Sequence, residues 1–277
     1  MSENQTPPTA LTIAGSDSGG SAGLQADLRT FFACGVHGMT AVTAVTVQNS
    51  VGVRGFTEIA PETVVAQITA VAEDIGVGAA KTGMLASAEI IDAVCAGCDD
   101  AGIGQGGRSP LVLDPVAASM HGDPLLREEA LEAIRTGLMP RATLVTPNLD
   151  EVRLLTGIEV TDLATQRDAA KTLLDFGPRW VLVKGGHMRD SPECVDLLVS
   201  SDTEIPLSGP RYDTPHTHGG GDTMASAITA SLARGHTVED AVAAGKRFIE
   251  RSVAGAYPLG AGVGPVSPFW RLAPEHG

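Results

Sequence analysis

The sequence is poor in positive charge and in cysteine, and it contains no long apolar run. Its 277 residues include 19 Lys and Arg against 33 Asp and Glu, which gives a formal net charge of -14. An acidic chain without a clustered basic stripe repels polyphosphate, so a nucleic-acid-binding role is disfavoured. Four cysteines (Cys34, Cys95, Cys98 and Cys194) in so long a chain do not make a disulfide framework.

No apolar run approaches the roughly 18 residues that a membrane-spanning helix requires. The first nine residues are polar and contain prolines, so they lack the basic and apolar regions of a secretory signal peptide. Hydrophobic residues make up 43% of the chain and charged residues only 19%, which favours a large buried core over disorder. We therefore expect a cytoplasmic protein with one domain over residues 11–277, preceded by a disordered or extended segment over residues 1–10.

Short β-branched runs alternate with longer helical patterns along the chain. Strand patterns include Leu11–Ala14, Met39–Val47 and Trp180–Lys184, and helical patterns include Pro61–Asp74 and Asp222–Arg234. Met39–Val47 consists almost wholly of Val, Thr and Ala, as expected for a strand buried on both faces of a parallel sheet. The alternation predicts a single three-layer α/β/α fold with a mostly parallel central sheet. Ligands of such folds bind beyond the carboxyl ends of the strands.

Polar residues and glycines follow the apolar runs where the strands are expected to end. In chain order these segments are Gly15-Ser16-Asp17, Gln48-Asn49, Lys81-Thr82-Gly83, Asp114-Pro115, Pro147-Asn148 and Lys184-Gly185-Gly186-His187. Gly, Pro, Asn and Asp are ordinary turn formers, but Gln48, Lys81 and Lys184 directly after apolar runs are not. The pattern favours a ligand site over a set of generic turns.

Three glycines, Gly219, Gly220 and Gly221, precede Asp222 and Thr223 at the start of a predicted helix. Glycines let backbone N–H groups turn toward one point, and a helix N-terminus adds positive potential, so this segment suits an anion. Asp222 could simply cap the helix, but a cap does not require three preceding glycines. A carboxylate beside an anion-binding turn is what a kinase of small alcohols needs as a base. The sequence contains no P-loop or protein-kinase motif, and the Gly-rich stretch from Gly15 to Gly23 does not satisfy the G-x-G-x-x-G pattern.

The segment from Ala14 to Asp27 resembles the N-terminal signature of the hydroxymethylpyrimidine/phosphomethylpyrimidine kinases of thiamine biosynthesis. Further matching segments follow in order and extend the resemblance over Leu11 to Pro268: Thr43–Asn49, Lys81–Leu85, Asp114–Val116, Thr146–Glu151 and Lys184–His187. The resemblance implies a ribokinase-like fold, usually a homodimer, that uses ATP and Mg²⁺. It also implies two successive transfers to a small-molecule pyrimidine, first to the hydroxymethyl oxygen and then to the monophosphate.

Gln48 is the centre of the pyrimidine recognition that the resemblance implies. An aminopyrimidine edge presents an N–H donor beside a ring-nitrogen acceptor, and a Gln amide offers the complementary pair. Without the resemblance, a solvated turn residue is the less favoured alternative for Gln48. The other implied substrate contacts are Gly15, Asp17, Asp27, Met84, Val116 and His187. Of these, His187 could contact substrate phosphate or serve only the turn.

The remaining implied roles concern phosphate transfer. Catalytic roles carry over to Asp222, Lys184, Gly219, Gly220 and Gly221, and nucleotide contacts carry over to Asp114, Asn148, Lys184 and Thr223. The Asn148-x-x-Glu151 pair would organise Mg²⁺ through water.

Two other functions remain open on the sequence alone. Many members of the family have Cys where this chain has Asp222, whereas many pyridoxal kinases have Asp, so a pyridoxine or pyridoxal kinase is the closest alternative. The Gln48 segment disfavours that alternative. A catalytically silent sensor of thiamine precursors is disfavoured by the joint presence of Lys184, Asn148, Glu151 and Asp222, because a sensor need not keep phosphoryl-transfer groups.

Two residue pairs could suggest a metal site but have simpler interpretations. His216 and His218 flank the glycine turn without a third ligand nearby in sequence, so we expect them to pack the turn. Cys95-x-x-Cys98 lies in a predicted helix and lacks a second pair, so we expect two small buried or half-buried residues.

Overall fold

A computed structural model describes residues 6–117, 128–186 and 193–272 of the chain. In these ranges the strands are β1 (Thr9–Ser16), β2 (His37–Asn49), β3 (Gly52–Glu58), β4 (Ala79–Thr82), β5 (Leu111–Leu113), β6 (Leu144–Val145), β7 (Trp180–Val183), β8 (Glu193–Val199) and β9 (Glu204–Pro210). The helices are α1 (Gly23–Ala33), α2 (Pro61–Asp74), α3 (Ala88–Ala101), α4 (Glu128–Ala133), α5 (Leu149–Thr156), α6 (Leu163–Leu174), α7 (Gly220–Ala233) and α8 (Val238–Ala254). None of these helices is long and apolar enough to cross a membrane.

The strands form one mostly parallel sheet. Their order across the sheet is β3-β2-β1-β4-β5-β6-β7-β8-β9. Neighbours from β2 to β7 in this order run parallel, whereas β3, β8 and β9 add antiparallel pairs at the two edges. The residues that follow the parallel strands therefore lie along one edge of the sheet, where ligands of α/β folds bind.

Side chains of the central strands alternate between two hydrophobic cores. Leu111 and Leu113 of β5 pack in a cluster that includes Ile90 of α3, whereas Val112 packs in a second cluster with Ile228 of α7. This period-two alternation is what a sheet covered by helices on both faces requires. The predicted three-layer α/β/α arrangement with a mostly parallel sheet is confirmed.

Helix boundaries agree with the sequence where local signals are strong. Helix α2 spans Pro61–Asp74, as predicted, with Pro61 in its first turn. Helix α7 begins at Gly220, two residues before the predicted start at Asp222. The reason is that Gly219, with φ of 73°, is the residue that caps this helix, so two of the three glycines belong to its first turn.

The prediction that β2 is buried on both faces is wrong. Its carboxyl-terminal half pairs with β3 as a hairpin, and Val45 and Val47 are 50% and 59% exposed. Val51, Val53 and Phe56 of the same hairpin are exposed as well. Val45 and Val47 share one face of the hairpin, whereas Phe56 and Val53 pair with Thr46 and Gln48 and so lie on the other face. We call the face of β2 that carries Val45 and Val47 the hairpin patch. A β-branched composition predicts a strand but not the presence of a helix on each of its faces.

Candidate active site

A cavity of about 660 Å³ lies at the carboxyl edge of the parallel strands. Its wall is formed by residues that follow β1, β2, β4, β5, β6 and β7, together with the glycine turn before α7. The predicted site residues in the wall are Gly15, Asp17, Gln48, Met84, Asp114, Val116, Asn148, Glu151, Lys184, Gly219, Gly220, Gly221 and Asp222. The structure thus brings the side-chain amide of Gln48, at the end of β2, and the carboxylate of Asp222, after the glycine turn, to one cavity.

One end of the cavity is mainly apolar and carries the Gln48 amide. The N–H of Gly15 donates to the carbonyl of Met84 at 3.0 Å, which fixes the apolar Met84 beside the end of β1. Val116 has φ of 39°, an unusual conformation for a β-branched residue. The Gln48 amide nitrogen lies 3.2 Å from Nε2 of His218. Because an amide nitrogen only donates, His218 Nε2 is the acceptor in this contact.

Asp17 organises the loop between β1 and α1. Its Oδ1 accepts from the N–H of Gly19 at 2.7 Å, and its Oδ2 accepts from the N–H groups of Ser21 and Ala22, each at 2.8 Å. The Oδ2 atom also lies 3.7 Å from Nε2 of His218. With both oxygens engaged by the backbone, the Asp17 carboxylate shapes this end of the cavity and has little capacity left for a substrate.

The glycine turn presents backbone amides to the other end of the cavity. The first intrahelical bond of α7 runs from the N–H of Thr223 to the carbonyl of Gly219 at 2.9 Å. The N–H groups of Gly221 and Asp222 precede that bond, so they have no acceptor within the helix. A Cβ on Gly219 would collide with the backbone oxygen of Ser21, which explains glycine at this position. These amides and the helix dipole give the turn the features that suit an anion.

Lys184 lies against this turn. Its Nζ donates to Oδ1 of Asp114 at 3.1 Å, and a Cβ on Gly221 would be only 3.3 Å from the same nitrogen. Burial acts to lower the pKa of Lys184, but the carboxylates of Asp114 and Glu151 outweigh it and raise the pKa above its usual value. The side chain is therefore a cation at neutral pH, directly beside the amides of the glycine turn.

Asp222 and Asp27 are joined by a buried lysine. The Nζ of Lys81 lies 2.8 Å from Oδ1 of Asp27 and 3.4 Å from Oδ1 of Asp222. Lys81 and Asp27 have 0% exposure, whereas the Asp222 side chain is 15% exposed to the cavity. Asp27 also accepts from the hydroxyls of Thr12 and Ser226, each at 2.6 Å. The contact between Asp27 and a substrate stays a prediction, although Lys81, Thr12 and Ser226 already engage this carboxylate below the cavity wall.

The pKa values of Asp27 and Lys81 are both raised, for different reasons. Burial raises the pKa of Asp27 to about 6, although the Lys81 ammonium acts in the opposite direction. Burial also acts to lower the pKa of Lys81, but the carboxylates of Asp27 and Asp222 raise it above its usual value. Lys81 is thus cationic at neutral pH.

The Asn148–Glu151 pair forms the capping box of α5. The side chain of Asn148 accepts from the N–H of Glu151 at 2.9 Å, and Glu151 Oε2 accepts from the N–H of Asn148 at 2.8 Å. Burial raises the pKa of Glu151 to about 7, with Lys184 opposing and Asp114 adding to the shift. Carboxylate oxygens are what Mg²⁺ prefers. In residues 6–117, 128–186 and 193–272, no three His, Cys, Asp or Glu side chains form a metal-binding group. Binding of Mg²⁺ by Asn148 and Glu151 through water stays a prediction.

Two of the predicted site residues that the structure describes, Asp27 and Thr223, do not line the cavity. Thr223 is buried beneath the glycine turn, where its N–H donates to the carbonyl of Gly219, and its nucleotide contact stays a prediction. His187 lies outside the described residues.

The histidine and cysteine pairs differ in outcome. His216 packs the turn as predicted, since its Nδ1 accepts from the N–H of Gly264 at 3.0 Å. His218 does more than pack the turn, because its ring reaches Gln48 in the cavity. Cys95 and Cys98 are buried free thiols, as expected, and burial raises their pKa values to about 11 and about 12.

Sequence reasoning overlooked the positions of Lys81 and His218 in the site. Lys81 stood out as a lysine directly after an apolar run, but its partners come from α1 and α7, far away in the chain. His218 adjoins the glycine turn, and nothing local in the sequence indicates its contact with β2.

Sequence and structure comparisons identify close relatives. A family model described as phosphomethylpyrimidine kinase matches residues 17–267. A hydroxymethylpyrimidine/phosphomethylpyrimidine kinase from Mycobacterium leprae is 54% identical over 270 residues, which cover 96% of this chain and 95% of the relative. The ADP complex of Bacillus subtilis pyridoxal kinase has a TM-score of 0.87 at 36% identity and covers 97% of this chain and 100% of that one. Phosphomethylpyrimidine kinase from Clostridium difficile has a TM-score of 0.76 at 37% identity, with coverages of 87% and 97%. The predicted ribokinase-like fold is confirmed by these likenesses.

The Gly219→Ala variant tests the anion-binding turn, with Gly20→Ala as a matched control. Both glycines have a left-handed backbone, with φ of 73° and 75°, but a Cβ on Gly20 meets no atom within 4 Å. Each variant carries the conformational cost of roughly 1–2 kcal/mol. Only Gly219→Ala displaces the amides, so we expect its affinity for ATP, measured by calorimetry, to fall about tenfold or more, or about 1.4 kcal/mol. Equal ATP affinity in the two variants would contradict the assignment.

Proposed function

The chain belongs to the phosphomethylpyrimidine kinase family, and we propose that it performs both phosphorylations for which its relatives are named. It is a phosphotransferase that transfers phosphate from ATP to 4-amino-5-hydroxymethyl-2-methylpyrimidine and then to the resulting monophosphate. The diphosphate so formed is used in thiamine biosynthesis. The observation that carries this function is the convergence of Gln48, Lys184 and Asp222 on one cavity.

The apolar end of the cavity suits the pyrimidine ring. Met84 and Val116 offer surfaces for the two faces of the ring, and Gly15 lets the backbone of β1 approach closely. The Gln48 amide matches the donor and acceptor of the aminopyrimidine edge, and such a bidentate match provides about 1–3 kcal/mol of discrimination. His218 supports Gln48 by accepting from its amide nitrogen. The ring can then direct its hydroxymethyl group toward Asp222.

The first transfer requires a base and an anion site. Asp222 takes the hydroxyl proton as the hydroxymethyl oxygen attacks the γ-phosphorus of ATP. The bond between the γ-phosphorus and the β,γ-bridging oxygen breaks, and ADP leaves with that electron pair. Lys184 and the free N–H groups of the glycine turn, those of Gly221 and Asp222, stabilise the charge on the phosphoryl group in flight.

The second transfer makes a different demand on the same residues. The attacking atom is a phosphate oxygen that is already anionic at neutral pH, so no base is required. The Asp222 carboxylate now repels the substrate. Lys184 and the glycine amides must outweigh this repulsion for the monophosphate to bind.

Nucleotide phosphates and Mg²⁺ are assigned to the carboxylate side of the cavity. Asp114 and Asn148 follow β5 and β6 beside Lys184, so they are placed to approach the nucleotide. We assign Mg²⁺ to Asn148 and Glu151 through water, because their mutual hydrogen bonds leave few oxygens for direct coordination. When bound, Mg²⁺ neutralises charge on the β- and γ-phosphates.

Pyridoxal kinase is the second candidate function, and Asp222 is the observation that favours it. The Bacillus subtilis pyridoxal kinase shares the fold, but its 36% identity is well below the 54% of the Mycobacterium leprae pyrimidine kinase. The pyrimidine activity therefore remains the better-supported function.

A substrate comparison tests the function directly. We expect ATP-dependent ADP release with both the pyrimidine alcohol and its monophosphate, and a higher kcat/KM for the alcohol than for pyridoxal. The reason is that Gln48 matches the aminopyrimidine edge. Preference for pyridoxal would overturn the pyrimidine assignment, and no ADP release with any of the three would indicate a binding protein.

Asp222→Asn separates the two transfers. Loss of a positioned base typically costs about 10²–10⁴-fold in rate, so we expect a loss of that size in kcat with the alcohol. Activity with the monophosphate should fall much less, because that substrate needs no base. The matched control is Asp168→Asn on the exposed side of α6, which should leave both activities near wild type. Equal losses on the two substrates would refute the base role of Asp222.

The hairpin patch supports a homodimer. We propose that two copies associate through this surface, because neighbouring exposed apolar side chains such as those of Val45 and Val47 form the kind of surface that partners cover. Light scattering should give the mass of two chains, and Val47→Lys should reduce it to one. A monomeric wild-type protein would contradict the proposal.

A cytoplasmic location is also proposed. ATP is available there, and the four cysteines are free thiols, as expected in a reducing compartment. Recovery of the protein outside the cytoplasmic fraction of cells would contradict this location.

A further inference from the structure

Lys81 is a buried cation that the two transfer steps do not use directly. It is absent from the cavity wall and fully buried, yet its Nζ lies 3.4 Å from the carboxylate that the first transfer uses as a base. We propose that Lys81 is a positioning residue whose positive charge offsets that of Asp222, and so allows a site with an aspartate base to bind the anionic monophosphate. This inference rests on the proposed function and deepens it.

The ammonium of Lys81 is held in place from three sides of the fold. In the sheet, Lys81 of β4 is paired in register with Thr12 of β1 and Val112 of β5. Asp27 of α1 accepts from Lys81 at 2.8 Å and is itself held by hydroxyls of β1 and α7. A fully buried lysine with such partners has little freedom to turn away, so its distance from Asp222 is set by the fold.

The order of the charges along Asp27, Lys81 and Asp222 determines the electrostatic potential at Asp222. Asp27 and Lys81 are a neutral pair overall, but the positive end of that pair faces Asp222. Coulomb interaction weakens with distance, so Asp222 interacts more strongly with the near ammonium than with the farther carboxylate. The pair therefore reduces the negative potential that Asp222 contributes to the cavity.

This reduction matters differently for the two substrates. The pyrimidine alcohol is neutral, so its binding depends little on the potential at Asp222. The monophosphate is an anion, so its binding weakens when the charge of Asp222 is no longer offset. Lys81 consequently affects the ratio of the two kcat/KM values, and this ratio separates its proposed role from a general contribution to stability.

The first test removes the buried pair as a unit. Asp27→Asn combined with Lys81→Met leaves no unpaired charge in the core. The Asn oxygen can accept from one of the hydroxyls of Thr12 and Ser226, and the Asn NH₂ group can donate to the other hydroxyl oxygen. We expect the ratio of kcat/KM for the monophosphate to that for the alcohol to fall about fivefold or more. In an Asp222→Asn background the same pair of changes should leave the ratio unaltered. The matched control is Asp99→Asn with Arg141→Met. It removes an ion pair whose nitrogen and oxygen are 2.6 Å apart and whose residues do not line the cavity, so it should not change the ratio.

In the second test we expect the ratio of the two kcat/KM values to change in the opposite direction. Asp27→Asn alone keeps Lys81 and leaves Asp222 as its carboxylate partner, so the ratio should rise above that of the wild type. A purely structural role gives no reason for opposite signs in the two variants. The proposal is overturned if the ratio falls with Asp27→Asn alone, if either variant leaves it unchanged, or if the double change lowers it equally in the Asp222→Asn background. If the double variant does not fold, the single variant Asp27→Asn still tests the proposal, because a rise in the ratio supports it and a fall contradicts it.

The wild-type enzyme separates this proposal from the function on which it rests. If it phosphorylates both pyrimidines and the variants leave the ratio unchanged, only the role of Lys81 fails. If it phosphorylates neither pyrimidine, the proposed function fails and the Lys81 proposal fails with it.

Discussion

The ammonium of Lys81 links the core of the sheet to the wall of the cavity. On its buried side it pairs with Asp27, and toward the cavity it contacts Asp222. This chain of charges fixes Asp222, the proposed base, relative to β4 and α1, and the glycine turn fixes the same residue relative to the proposed anion site. The position of Asp222 relative to the anion site is therefore set by two independent parts of the fold. That arrangement is what a transfer reaction needs, because catalysis depends on the geometry of reacting groups as well as on their identity.

The same geometry accounts for a conflict within the proposed reaction sequence. A carboxylate is a suitable base for an alcohol, yet it repels the phosphorylated product that must be bound next. Lys184 beside the glycine amides attracts that product from one side. Lys81 reduces the repulsion from the other side, from beneath the wall. A single cavity can thus serve a neutral and an anionic substrate in succession, provided that these two cations remain charged.

Local signals predicted much of the fold, whereas long-range contacts decided the roles of several residues. Helix α2 was predicted to the residue because helical spacing and Pro61 are both local features. The exposure of Val45 and Val47 could not be read from composition, because it depends on whether another element covers β2. The resemblance placed Asp27 at the substrate, but the structure engages its carboxylate with Lys81 and two hydroxyls. Asn148 and Glu151 show a further difficulty, since the spacing that suits a metal pair is also that of a capping box.

The most direct measurement is a crystal structure of the protein with the pyrimidine alcohol and a non-hydrolysable ATP analogue. The central claim is that one bound pyrimidine meets Gln48 with its amino edge and Asp222 with its hydroxymethyl oxygen, while the γ-phosphate lies on the glycine turn. We expect both contacts at hydrogen-bond distance, roughly 2.6–3.2 Å. A pyrimidine that binds with its amino edge away from Gln48, or with its hydroxymethyl oxygen beyond the reach of Asp222, would contradict the claim.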